Sequence, residues 1–286
     1  MLADLLIDCG NHHGEGILWN PGDGRLWWTD IHGERLWWHD PMAGTAGHTD
    51  LTKRLCAFAP RARGGWIMAF ADGVELWSAD LRPLATVHAF ETDRPQTRLN
   101  DGRTDRQGRF VVGGMNEVTG AADSTVIRVN ADLSVDTLIR GVSCANSTCF
   151  SPDGATMYFS DTPERCIRAY PYAEHLGEPR VFADLAGEPG LPDGSCVDAE
   201  GGVWNAEWDG GQVVRIAPDG TVSHRIALPV PKVTCCAFGG PDLETLFITT
   251  SRLGMTEQEI SRAPLSGGLF GVRPGLRGIK DSAFAG

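Results

Sequence analysis

The stretch DGRLWWTDIHGERLWWHDP, residues 23–41, holds two short β-rich runs joined by a polar turn. Its tryptophans come in pairs, Trp27 with Trp28 and Trp37 with Trp38. Neighbouring residues on a strand face opposite ways, so both faces of these strands must be covered. The same pattern returns along the chain as RGGWIMAFADGVELWSADL (63–81), QGRFVVGGM (107–115) and DGATMYFSDTPERCIRAYPY (153–172). It recurs again as EGGVWNAEWDGGQVVRIAPDG (200–220) and DLETLFITTS (242–251). The six starting points lie 40, 44, 46, 47 and 42 residues apart. A repeat of this length with about four strands marks a propeller blade. The expectation is therefore an all-β, six-bladed β-propeller filling residues 1–286 as one domain. A sandwich would show no such period, and a TIM barrel would need helices between the strands. The last segment, SGGLFGVRP (266–274), supplies outer strands for the sixth blade. The N-terminal LADLLIDCG (2–10) reads as a strand that pairs with that blade, closes the ring and removes an exposed edge.

Composition supports this and narrows the function. The chain has 36 glycines and 17 prolines, as many tight turns require. Its net charge of −12, with no basic tract, argues against nucleic acid and anionic membrane surfaces as partners. No apolar run reaches membrane-spanning length. The start lacks a basic region and is broken by Asp4 and Asp8, unlike a signal peptide. Eight cysteines form no CxxC pair; most fall in apolar strands and read as reduced thiols of a cytoplasmic protein.

The innermost strand of each blade lines the central channel and must precede each repeat's start. Counting back seven residues, or eight in the first blade, reaches Glu15, Cys56, Asn100, Asn146, Asp193 and Cys235. Equivalent positions around a ring converge on its axis. Four of these six are oxygen donors in otherwise apolar strands. Buried beside each other, Glu15 and Asp193 would repel unless a cation sat between them. The expectation is a central metal site with oxygen ligands, suited to Ca2+, Mg2+ or Mn2+, with Fe2+ and Zn2+ left open.

Five ordered blocks resemble the signatures of the gluconolactonase/regucalcin (senescence-marker-protein) family: residues 14–31, 98–115, 146–162, 190–220 and 234–251. The resemblance covers nearly the whole chain. It implies a metal-dependent six-bladed propeller whose characterised enzymes hydrolyse aldonolactones. It places metal ligands at Glu15, Asn146 and Asp193, and substrate contacts at Arg98 and Asn100 with Asp101 beside them. A further acidic contact in the family falls near GGMNEVTG, at Asn116 or Glu117. Where many members have an aliphatic residue and glycine after the metal-site Asn, this chain has Ser147 and Thr148.

Together these readings give a sugar lactonase with one divalent ion. Asp193 is both ligand and the acceptor of the attacking water's proton. His12 and His13, which precede the inner strand, read as channel-mouth or solvent-facing residues. Trp204 reads as core, and Trp208 as a mouth residue able to stack on a sugar. No G-x-S-x-G elbow supports a serine hydrolase. Two alternatives stay open: an organophosphate or fluorophosphate hydrolase on the same scaffold, and a calcium-binding regulator without turnover.

Overall fold

A computed structural model describes residues 1–286. Six four-stranded antiparallel sheets surround a central channel. The six innermost strands are Gly14–Asn20, Leu55–Pro60, Thr97–Thr104, Ala145–Phe150, Leu191–Val197 and Val233–Gly239. Each packs against those of its two neighbours, which closes the ring. In the sixth blade, Asp4–Ile7 pairs antiparallel with Leu269–Val272 as the outermost strand. The two ends of the chain thus share one sheet, as the N-terminal pattern predicts.

The apolar core is divided into six clusters, one at each contact between blades. The paired tryptophans show why. Trp27 packs against the second blade with Trp66, and Trp28 packs against the sixth with Phe247. One strand thus serves two seams, because its successive side chains alternate between faces. Trp204 is fully buried in the seam between blades five and six.

Every inner strand carries a register shift near its channel-facing residue: after Glu15, Leu55, Leu99, Asn146, Pro192 and Val233. Such a bulge bends the strand and re-aims a side chain. Two of the bulges need left-handed backbone, at Gly16 (φ 59°) and Ser147 (φ 58°). A non-glycine residue there is costly. Ser147 offsets the cost by donating its hydroxyl to the Asp193 carbonyl at 2.7 Å. One element was not legible in the all-β pattern: a short helix, Glu257–Arg262, opened by a Thr256–Glu259 capping box. No helix is long and apolar enough to cross a membrane. All eight cysteines are free thiols.

Candidate functional site

At the end of the channel where the inner strands begin lies a cavity of about 220 Å3. Glu15, Asn100, Asn146 and Asp193 all line it, each from a different blade, together with Arg98. Glu15 and Asp193 are buried and line the same cavity. Burial pushes both pKa values up; the Asp101 charge adds to the rise at Glu15, and the Glu15 and Asp101 charges add to it at Asp193. Arg98, the cation that both of them feel, is committed elsewhere: its Nε donates to Glu117 at 2.9 Å. Arg98 lowers both values without undoing the effect of burial, so the pair is compensated only in part.

Asn146 is held in one orientation. Its Nδ2 donates to Thr162 Oγ1 at 2.8 Å, and that hydroxyl donates to the Pro192 carbonyl at 3.0 Å. The amide oxygen is thereby turned toward Asn100, whose Nδ2 lies 3.4 Å away. Two carboxylates and one amide oxygen make a hard-oxygen donor set. No group of three or more His, Cys, Asp and Glu side chains is gathered to hold a metal anywhere in the molecule. A divalent cation fits this channel because it would neutralise two buried carboxylates that Arg98 compensates only in part.

The substrate-side residues divide into two groups. Arg98 is 3% exposed; its Nη1 donates to the Leu99 carbonyl and to Asn100 Oδ1, and its Nη2 has no protein acceptor. Asn100 lines the cavity, but both ends of its amide are engaged, by Arg98 Nη1 and by the Ala145 carbonyl. Asp101 and Glu117 do not line this cavity. Asp101 turns below it and accepts the Thr148 backbone N–H at 2.7 Å. Glu117 receives both Arg98 and Arg54 and orients the Arg98 guanidinium from behind. Asn116 caps its own turn, accepting from Val118 and Thr119 and donating to Asp123.

His13 and Trp208 complete the wall, their rings edge-on at 5.6 Å. Ser251 donates its proton to the His12 carbonyl, so His13 Nδ1 must donate to Ser251 Oγ at 3.0 Å. His13 is then neutral with an unprotonated Nε2, and burial lowers its pKa. Met115, Cys144, Thr162, Leu191 and Leu253 also line the cavity and were not singled out in the sequence. They come from strand ends and connecting turns, which the repeat count does not reach.

The raised carboxyls carry a sign. In the cation-free protein the folded state holds protons that the unfolded chain releases above about pH 4–4.5. Their contribution to stability is present at low pH and is lost as pH rises through the raised values. Thermal unfolding in chelator is expected to shift to lower temperature from about pH 5 to about pH 8. A divalent cation is expected to flatten that slope. An upward shift without cation would show that the pair does not destabilise the fold.

Residues 13–252 match the family profile described as SMP-30/Gluconolactonase/LRE-like region. The chain is 37% identical to 6-deoxy-6-sulfogluconolactonase of Pseudomonas putida over 277 residues, 96% of this chain and 95% of that one. It is also 37% identical to L-arabinolactonase of Azospirillum brasilense over 298 residues, 99% of this chain and 96% of that one. Among solved structures, a calcium-binding protein, regucalcin, from Agrobacterium tumefaciens superposes with a TM-score of 0.93 at 30% identity. That match covers 99% of this chain and 97% of the other.

Proposed function

The chain belongs to the SMP-30/gluconolactonase family, and from that premise we propose that it hydrolyses a small sugar lactone to its aldonic acid, with one divalent cation. The observation that carries this reading is the buried pair Glu15 and Asp193, both with raised pKa values, beside Asn146 and the free face of Arg98 in one cavity. Two lactonases at 37% identity over nearly the whole chain support the substrate class.

In this reading Glu15, Asn146 and Asp193 hold the cation. Bound there, it supplies Lewis acidity toward an ester carbonyl and toward water. The chain's own residues do the rest. Asp193 accepts the proton of the water that attacks the lactone carbonyl carbon, and returns it to the ring oxygen as the ester bond breaks. Arg98 Nη2 donates to a substrate oxygen, held in aim by Glu117. Thr162 fixes the Asn146 amide, and Trp208 forms part of the wall, with the Lys232 ammonium 4.1 Å from its ring centroid.

The test is acid release from a panel of aldonolactones, followed as a pH drop with and without chelator. Metal-dependent acid release is expected from at least one of them. Release unaffected by chelator, with a cation-free protein verified by metal analysis, would remove the cation from the reaction. Arg98→Ala is expected to raise KM at least about 10-fold with a smaller change in kcat, because a binding contact is lost. An unchanged KM would make Arg98 structural.

A second reading, a calcium-binding protein without turnover, draws support for its calcium-binding half from the same donor set and from the regucalcin structure at TM-score 0.93. Calcium binding seen by calorimetry, with no acid release from any lactone, would select it. Activity confined to organophosphates would select the third reading on this scaffold.

A further inference from the structure

The inner strands that begin at the cavity described above end at the opposite mouth of the channel, where a separate and larger cavity of about 490 Å3 opens. A volume of this size accommodates a small organic molecule. One wall is apolar and aromatic: Ile17, Trp19 and Phe58, each at least 93% buried. The other wall carries Arg61, Arg103 and Lys280. Two aspartates, Asp101 and Asp281, line the cavity as well, so its three cations leave one net positive charge.

Arg103 is the residue that points to a ligand. Its side chain is 10% exposed and donates from Nη1 to Asp281 at 2.8 Å. Its Nε is sealed from solvent and has no acceptor in the protein. A buried guanidinium N–H without a partner is costly, and an incoming oxyanion would satisfy it.

Asp281 belongs to a strap. Beyond it the tail is pinned by Phe284, which is fully buried in the core between blades two and three. Phe284 also exchanges backbone hydrogen bonds with Pro60 and Ala62, and Ala285 bonds to Gly108. Before it, the Lys280 carbonyl accepts from Arg106 Nη1 at 3.1 Å. Between these anchors, residues 281–283 make no backbone–backbone hydrogen bond. The Arg103–Asp281 ion pair holds this stretch over the cavity mouth.

We infer that the opposite mouth is a second binding site, for a small organic oxyanion whose carboxylate or phosphate takes Arg103 from Asp281 beneath the tail strap. The anionic group satisfies the guanidinium, and the ligand's uncharged body lies against Trp19 and Phe58. The strand that carries Arg103 also carries Asn100, three residues away in the other cavity, so the two sites share a strand. The inference concerns binding alone and stands apart from the lactonase reading.

The experiment is isothermal titration calorimetry on the full chain with D-gluconate, D-glucose 6-phosphate, inorganic phosphate and neutral sorbitol. Gluconate or glucose 6-phosphate is expected to bind, and sorbitol is not. Comparing the two organic anions tells a carboxylate from a phosphate head, and inorganic phosphate shows whether the head alone suffices. Arg103→Gln is expected to weaken binding at least about 10-fold. Asp281→Asn, which removes the competing acceptor without touching Arg103, is expected to tighten it several-fold. Asp193→Asn is expected to leave it in place, which separates this site from the other cavity. Binding unchanged in Arg103→Gln, binding weakened in Asp281→Asn, or no binding of either organic anion up to about 10 mM would each overturn the inference. Should Arg103→Gln fail to fold, the Asp281→Asn result decides alone.

Discussion

Asp193→Asn is expected to lower lactone hydrolysis at least about 100-fold, the scale on which a main electrostatic stabiliser is lost. The same substitution is expected to leave the cation-free protein as stable as the parent, or more so. The two outcomes come from one arrangement. Asp193 and Glu15 are buried in one cavity; burial raises both pKa values, and the Glu15 charge raises that of Asp193 further. Without a cation the folded protein must hold protons on this pair, which costs free energy at neutral pH. An amide at position 193 keeps the volume, removes one carboxyl and can donate to Glu15. The cation-free protein is then relieved of the repulsion, and its stability should depend less on pH. With cation the order reverses. The parent should gain thermal stability by mass action, and the variant should gain little because one ligand has lost its charge. Rates and unfolding midpoints, measured with and without Mn2+ or Ca2+, check this. A variant with near-parental turnover, or with the parent's full cation-induced rise, would take Asp193 out of the proposed role.

How much of this was readable in the chain differs residue by residue. The repeat count reached Glu15, Asn100, Asn146 and Asp193, and all four line one cavity. It worked because a ring of equivalent blades turns equal sequence offsets into equal distances from the axis. Cys56 and Cys235 hold the same register and are buried. Asp101 sits one residue past Asn100, in the stretch where the strand's register shifts, and faces the other end of the channel. A one-residue step across a bulge reverses direction, and sequence alone does not show where the bulge falls. Glu117 lies just past the strand Phe110–Asn116 and reaches Arg98 from behind. Thr162 and Leu253 come from connections whose lengths differ between blades, so no repeat predicts them. The strap over the opposite mouth lies beyond the sixth repeat. Its placement rests on Phe284 entering a seam two blades away, a long-range contact with no local signal.

Asp198→Ala is expected to cost about 3–5 kcal/mol of stability while leaving the chemistry of the folded fraction intact. Asp198 closes the far end of the strand that carries Asp193, and it is fully buried. Its Oδ1 accepts the backbone N–H groups of Glu200 and Gly202, both at 2.9 Å. Its Oδ2 accepts Trp204 Nε1 at 2.8 Å and Arg215 Nε at 2.6 Å. One carboxylate thus ties a turn, a core indole and a guanidinium that is itself 5% exposed. Alanine would leave these donors buried without an acceptor. Arg215 would keep only the exposed Glu200 carboxylate and Ser223. The third blade builds the same device at Asp105, which takes the N–H groups of Gln107 and Arg109, the Arg109 side chain and the Tyr172 hydroxyl. That repetition marks it as a scaffold element. The thermal midpoint should therefore fall on the order of 10 °C. Well below that midpoint, kcat and KM for the lactone should match the parent. Replacing Arg215 by Met in the same chain should recover part of the loss, because the guanidinium left unpaired is then gone. A loss under about 1 kcal/mol would mean that water reaches these donors once the carboxylate is removed. A changed KM at full folding would mean that this end of the strand helps set the cavity at the other.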